Sequence, residues 1–368
     1  MSRDTHARRR EVPQNAPRDR EVSPVPCRTV QPIPVIALTG YLGAGKTTLL
    51  NHVLRSPDAR IGVVINDFGE LNVDAGLVTG QVDEPASIAG GCICCLPDDG
   101  GLDVALARLA DPRLRLDAII VEASGLADPV AISRIIRFSG VDGVRPGGVV
   151  DVLDAANHFA TVDRDACPPA RYGAATLVVV NKLDQVPAGE RDSTLQRVTD
   201  RVRERNPHAQ IVGATAGRID PALLYDVAAD DGAGQLTFRE LLFEQRDDGH
   251  DHVHADSVTV LAEGCVDPGA VIDLLEDPPP CVYRMKGTVA VRYRGSVRRY
   301  VVNVVGASVH IAGESTAAAA DAGSLVAIGM HLDVDAVRAS MRAALAPITE
   351  PAPAQGIRRL QRYRRLSV

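Results

Sequence analysis

The sequence predicts an α/β protein: a mostly parallel sheet covered by helices on both faces, followed by a smaller α+β domain. Three observations carry this expectation. Between residues 34 and 216, short runs that are apolar on both faces alternate with segments whose apolar residues recur at helical spacing. Strands buried on both faces and joined by helices build parallel sheets. A polar stretch, "EQRDDGHDHVHAD" (244–256), then interrupts the alternation, and beyond it the order becomes strand, helix, several strands and a last helix.

The elements follow in order. Residues 1–30 are rich in Arg and Pro and poor in large apolar side chains, so they are expected to be a disordered tail, unable to offset the entropy of ordering. Strands are expected at 34–40, 60–67, 116–125, 147–155, 176–182 and 210–216, with helices at 101–110 and 188–205 among the connections. These make a first domain over 31–243. After the His-bearing linker 244–256, the second domain (257–348) reads strand 257–263, helix 267–276, strands near 281–294, 296–305, 307–312 and 324–329, and helix 333–346. Residues 349–368 end in "RRLQRYRRLSV", read as a basic tail or a frayed helix. No internal repeat is present.

A chain of 368 residues has material for two cores, and 45% hydrophobic with 24% charged residues is the composition of a soluble globular protein. A net charge of −7 argues against a dedicated nucleic-acid binder. No apolar run reaches membrane-spanning length, and the N-terminus lacks the apolar centre of a signal peptide, so a cytoplasmic protein without a membrane partner is expected. Of seven cysteines, three are crowded into "GGCICC" (90–95). In a reducing compartment such crowding points to metal binding or thiol chemistry rather than to a disulfide framework.

"GYLGAGKT" (40–47) fits G-x-x-x-x-G-K-[ST] between a strand and a helix, the setting of a phosphate-binding loop. Gly40, Gly43, Ala44 and Gly45 let successive backbone N–H groups converge on phosphate oxygens at a helix N-terminus. Lys46 would reach the β- and γ-phosphates, the Thr47 hydroxyl would ligate Mg²⁺, and Thr48 adds a further donor. The first domain is therefore expected to be a P-loop NTPase. "IIVEASG" (119–125) ends a buried strand with Glu122, placed to hold the hydration shell of Mg²⁺, and Gly125 follows with an N–H that can sense the γ-phosphate. "NKLD" (181–184) closes a later strand at the end where such sheets bind ligands. The Asp184 carboxylate can accept parallel hydrogen bonds from guanine N1–H and N2–H, a donor pair adenine lacks. Asn181, Lys182 and Asp184 thus favour GTP.

The cysteines are soft ligands suited to Zn²⁺ and similar ions. Cys92 and Cys94 would share a side of an extended chain while Cys95 points elsewhere, so the motif alone does not complete a tetrahedron. A Cys92–Cys94 disulfide and simple packing remain alternative readings, the latter weakened by the preceding Gly-Gly. Asp67 and Glu70 in "NDFGELNVD" (66–74) follow the second strand, near an expected γ-phosphate, and are either further ligands or solvated loop acids. In "HDHVH" (250–254), His250, His252 and His254 alternate and would face one side of an extended chain, as a weak metal-capturing cluster or as a solvated spacer. His158, His310 and His331 read as surface or satisfied core residues, and Cys167, Cys265 and Cys281 as packing.

Taken in order, "GYLGAGKTTLLNHVL", "NDFGELNVDAGLV", "GGCICC", "VEASGLADP" and "NKLD" resemble the CobW-like metallochaperone GTPases, and "RMKG" (284–287) and "LVAIGMHLD" (325–333) resemble that family's smaller C-terminal domain. The resemblance covers roughly residues 33–346. It implies a Mg²⁺-dependent GTPase with Lys46, Thr47 and Glu122 as catalytic groups. It also implies a divalent metal, Zn²⁺ with Co²⁺ or Ni²⁺ as alternatives, held through Cys92, Cys94 and Cys95 and passed to a client metalloprotein. Family members usually carry Glu where this chain has Asp67, one methylene shorter. A homodimer is compatible with the sequence. Two other functions are compatible as well: a nucleotide-gated zinc store or sensor, and a P-loop ATPase or kinase with structural cysteines.

Overall fold

The structure is a computed structural model, and it describes residues 31–55, 59–66, 86–88, 101–125, 127–225, 255–313 and 323–367. The tail 1–30, Asp67, Glu70, Cys92, Cys94, Cys95, His250, His252 and His254 lie outside the described residues.

The first unit is a seven-stranded sheet, parallel throughout. Its strands are β1 (Ile33–Gly40), β2 (Ile61–Asn66), β3 (Ala86–Ile88), β4 (Ala118–Glu122), β5 (Val144–Asp154), β6 (Leu177–Asn181) and β7 (Gln210–Gly213). They stand in the order β3-β2-β4-β1-β5-β6-β7. Among the described residues five helices accompany them: α1 (Lys46–Leu54), α2 (Gly101–Leu109), α3 (Pro129–Arg137), the short α4 (His158–Thr161) and α5 (Arg191–Arg205).

Alternation along β1 explains the two covered faces. Ile36 and Leu38 pack with Leu49, Leu50 and Val53 of α1. Val35 and Ala37 face the other way, against Leu106 of α2 and Ile132 and Ile136 of α3. Period-two alternation in a strand sends neighbours to opposite faces, so a strand buried on both sides must be apolar throughout. The dipeptide Asp-Pro opens helical turns at 128, 220 and 267, where the Asp carboxylate accepts the N–H of the residue two further on, at 3.0, 2.9 and 2.8 Å. Asp serves as the cap and Pro fits the first helical position, where no N–H is needed.

The second unit is a five-stranded antiparallel sheet of β8 (Asp256–Ala262), β9 (Val282–Tyr293), β10 (Ser296–Val305), β11 (Ser308–Gly313) and β12 (Gly323–Gly329), ordered β11-β10-β9-β12-β8. α6 (Pro268–Glu276), α7 (Val334–Ala344) and α8 (Ala354–Leu366) complete it. The expected fold class, a parallel sheet covered on both faces plus a smaller α+β unit, is the observed one.

Two expectations change. The chain end is no frayed tail: α8 buries Ile357 and Leu360 in the same core as Val271 and Leu275 of α6. Arg359 pairs with Asp273 and Glu276 at 2.6 and 2.8 Å, which orients the helix. The arginine-dense sequence hid an amphipathic face whose apolar residues number only a few. The short strand β3 was also missed, because three residues leave too little periodicity to read.

The two units share a core. Tyr283, Val305 and Met330 of the second pack in the cluster that holds Leu49 and Val152 of the first. Tyr283 Oη meets Thr176 Oγ1 at 3.2 Å, and Arg145 donates to Asn303 Oδ1 at 3.3 Å. Arg145 and Thr176 mark the N-terminal ends of β5 and β6, so the second unit docks at the end of the sheet opposite Gly40, Glu122 and Asn181.

Candidate functional site

The strand order places the site. Leaving β1, the chain runs to β2 and β4 on one side and later to β5 on the other, which opens a crevice above β1 where parallel sheets bind ligands. Register aligns Leu38 with Glu122, Gly40 with Val152 and Asp154 with Asn181. The polar residues read from the sequence as Glu122, Asn181 and the loop 40–47 therefore all emerge at one end of the sheet.

The loop wraps the start of α1. Ala44 N–H donates to Tyr41 O at 3.1 Å, and Gly45 adopts φ 102° as it turns the chain into the helix. Only glycine holds that conformation without strain, and here a Cβ would also collide with Asn181 Nδ2. Lys46 Nζ donates to Gly40 O at 3.1 Å, curling back over the loop. Thr47 Oγ1 donates to Glu122 Oε1 at 3.2 Å, across a separation of 75 residues, and Glu122 is buried. Thr48 is exposed. Gly125 packs so closely on the loop that an added Cβ would lie 2.8 Å from Leu42 N.

Asn181 ties the loops together. Its Nδ2 donates to Ala44 O at 2.9 Å and its Oδ1 accepts from Gly217 N–H at 2.8 Å. Lys182, in left-handed backbone at φ 62°, pairs with Asp154 at 2.8 Å. Burial alone would raise the Asp154 carboxyl, but hydrogen bonds from Lys182 and Asn157 outweigh it and hold the group below its ordinary value. Asp184 stands exposed in a 3₁₀ turn at Leu183–Gln185, its side chain open to solvent. The loop Thr215–Arg218 was missed from sequence. Its Ala216 and Gly217 adopt φ 51° and 68°, and it reaches the site through Asn181. The signal available was a small-residue turn, "TAG", directly after the strand next to "NKLD".

The chain thus brings together Gly40, Gly43, Ala44, Gly45, Lys46, Thr47, Glu122, Gly125, Asn181 and Lys182 around one crevice. Among the described residues no group of three or more His, Cys, Asp or Glu side chains could hold a metal ion. No helix among them is long and apolar enough to cross a membrane.

Behind the loop lies a buried polar network. Thr39 Oγ1 donates to Asp151 Oδ1 at 3.0 Å, and Arg171 holds the Asp151 carboxylate with two bonds of 2.9 and 2.7 Å. His158 meets the Tyr172 hydroxyl, which donates to Asp163 at 3.3 Å, and Arg201 clamps Asp163 at 2.9 and 2.7 Å. His158 and His310 are buried and only partly satisfied: His158 Nε2 meets the Tyr172 hydroxyl, but in both rings Nδ1 lacks a hydrogen-bond partner among the described residues. Cys265 is buried, but Cys167 and Cys281 are exposed rather than packed.

Burial pushes both histidines down to about 4, against the pull of Asp163, Asp151 and Asp154 on His158 and with the help of Arg145 at His310. Each depressed pKa means that the unfolded chain binds the proton first. Stability is fully present above pH 6.5 and falls as pH drops toward 4, with a slope of about 1.4 kcal/mol per pH unit per histidine. Urea unfolding at pH 5 should show a loss on the order of 4 kcal/mol relative to pH 7, and replacing either histidine by Gln should remove about half of that pH dependence.

Two family models match the chain: residues 34–213 fit the CobW/HypB/UreG nucleotide-binding domain, and residues 255–345 fit the cobalamin synthesis protein cobW C-terminal domain. The zinc chaperone CobW of Sinorhizobium sp is 32% identical over 351 residues, spanning 84% of this chain and 97% of that protein. The zinc-regulated GTPase metalloprotein activator 1 of Schizosaccharomyces pombe is 29% identical over 202 residues, 52% of this chain and 48% of its own length. Among solved structures, the Zn(II)-bound YjiA GTPase from E. coli is similar at 23% identity over 85% of this chain and 99% of its own, with a TM-score of 0.40. With a nucleotide-binding domain and a cobW C-terminal domain in tandem, and a relative matched along nearly its whole length, this chain belongs to the CobW family.

Proposed function

We propose that this protein is a GTP-hydrolysing metallochaperone, working in the cytoplasm, that binds a divalent metal as cargo and hands it to a client apoprotein. The contact that carries the nucleotide half of this reading is Thr47 Oγ1 against Glu122 Oε1 at 3.2 Å, beside Lys46 at the start of α1. A hydroxyl and a carboxylate at that spacing are the hard oxygen donors that suit Mg²⁺, so the residues fit the ion. When bound, Mg²⁺ would neutralise charge on the β- and γ-phosphates. The chain's own groups do the rest. Backbone N–H groups of residues 43–47 and the N-terminus of α1 would bind phosphate oxygens, Lys46 would swing from Gly40 O to the γ-phosphate, and the Gly125 N–H would meet the same group.

Guanine selection rests on Asp184, whose open carboxylate is free to accept two base N–H groups. Asp184→Ala should weaken GTP roughly 100-fold, the value of two charge-assisted hydrogen bonds in a half-exposed site, and leave ATP unchanged. Competition of both nucleotides against a fluorescent GTP analogue measures it. Equal displacement by ATP in the native chain would refute the assignment.

The metal half rests on Cys92, Cys94 and Cys95, with Asp67 and Glu70 as further ligands and His250, His252 and His254 as a weak acquisition cluster. Support comes from the thiolate chemistry of the motif and from two relatives, a zinc chaperone and a zinc-regulated GTPase. Zinc is the favoured cargo. Coupling requires that metal affinity differ between nucleotide states. Anaerobic titration with Co²⁺ and Zn²⁺, with and without GTP, tests the whole reading through thiolate–metal absorption. Identical affinities in all nucleotide states would leave no chaperone cycle to explain.

A further inference from the structure

α2, the turn after it and the segment between α3 and β5 enclose an open groove of about 630 Å³. It lies where β5 begins, at the end of the sheet opposite Gly40, Glu122 and Asn181. Its apolar wall is Val104, Ala107, Ala110, Pro112 and Val141, and Val104 is 53% exposed there. Three aspartates rim it, and no lysine or arginine lines it. Asp103 accepts the Ser139 hydroxyl at 2.7 Å and Asp111 accepts the Arg113 backbone N–H at 2.9 Å, while Asp142 is exposed. Among the described residues none of the three is in an ion pair.

The chain enters the fold at the edge of this groove. Ile33 N–H donates to Gly143 O at 2.8 Å, and Ile33 pairs with Val144 in the sheet. Gly143 directly follows Asp142, and a Cβ on it would lie 3.9 Å from Ala110 Cβ in the groove wall. Residues 1–30 therefore join the fold within a few residues of the rim. They carry seven arginines against four acids, in a chain whose net charge is −7. Within them "VSPVPCR" (22–28) has prolines at 24 and 26, which favour polyproline II with its three residues per turn. In that conformation Val22, Val25 and Arg28 share one edge. Arg28 stands five residues before Ile33, an extended reach of at most about 17 Å.

Charge and tether together select the occupant. An apolar wall with a carboxylate rim fits an extended segment that presents apolar and cationic side chains along one edge. A segment tethered at the rim is present at a local concentration on the order of millimolar, so weak contacts suffice to hold it. A partner in trans, or the tail of a second copy, has no such advantage. We propose that this groove is the docking site of the chain's own N-terminal tail, with Val22 and Val25 against the apolar wall and Arg28 beside Asp142. The docking does not rest on the nucleotide or the metal reading, so each can fail separately.

The test uses the full chain and a glutamyl endopeptidase, with mass spectrometry to follow cleavage of the Glu21–Val22 bond. A synthetic peptide of residues 15–31 is the unprotected reference. Cleavage of a segment that opens and closes quickly follows the population of its open form, so the native chain should be cut at least roughly tenfold more slowly than the peptide. Val104→Asp should raise the rate roughly tenfold by removing apolar contact. Asp142→Arg and Arg28→Asp should each raise it roughly threefold by breaking an exposed ion pair. Arg28→Asp combined with Asp142→Arg should return it to near the native rate. Ala107→Arg fills the groove and serves if Val104→Asp loses its cooperative thermal transition. Equal rates in chain and peptide, rates unmoved by the groove variants, no recovery in the charge swap, or protection that grows with protein concentration (the mark of a second copy) would each overturn the proposal.

Discussion

Lys46→Ala is expected to lower single-turnover GTP cleavage by roughly 10²- to 10³-fold, the effect of removing one preorganised cationic donor from a charge-developing centre. The geometry isolates the consequence. Lys46 is the first residue of α1, and its Nζ donates to Gly40 O. The loop is held independently, by Asn181 on Ala44 O and by the turn at Gly45. Truncating the lysine therefore leaves the backbone cradle in place and removes a charge from it. Circular dichroism should be unchanged, and zinc binding at the thiols should persist. Phosphate release at the native rate would mean that the loop is not the catalytic cradle, and a binding protein gated by nucleotide would then be the better reading.

The second large effect concerns the cargo. Changing Cys92, Cys94 and Cys95 together to Ser should weaken the tight Zn²⁺ site by at least roughly 100-fold, because thiolates supply most of the affinity of such sites and serine hydroxyls stay protonated at neutral pH. Thiolate–Co²⁺ absorption should vanish in the same variant. GTP affinity should hold, since the phosphate loop is held by Asn181 on Ala44 O and by the turn at Gly45. Unchanged zinc stoichiometry and affinity would remove the central claim and leave a GTPase with structural cysteines. A simultaneous collapse of GTP binding would show instead that the cysteine segment builds the nucleotide site itself.

The fold was legible to the extent that local patterns are self-sufficient. Strands such as Leu177–Asn181 are apolar up to their last residue, and no other element buries both faces over so short a run. The phosphate loop is a local motif as well: glycine spacing, a lysine and a threonine on a helix start need no distant residue to be recognised. α8 was misjudged for the converse reason. Its helix survives through burial of Ile357 and Leu360 against α6, and by composition the segment reads as a run of arginines. Tertiary packing overrides the signal of solvated charge.

What the sequence determined by itself was the inventory: an α/β nucleotide domain, its phosphate loop, the "NKLD" turn, the crowded thiols and a second α+β unit. These are matters of periodicity and short spacing, which act within one or two turns of chain. Only the tertiary structure decided who meets whom. It set Thr47 on Glu122 across 75 residues and drew the unforeseen turn at Gly217 to Asn181. It also buried His158 against the Tyr172 hydroxyl, with Nδ1 lacking a hydrogen-bond partner among the described residues. Such contacts depend on strand order and register, where one step along a neighbouring strand moves a side chain to the opposite face of the sheet.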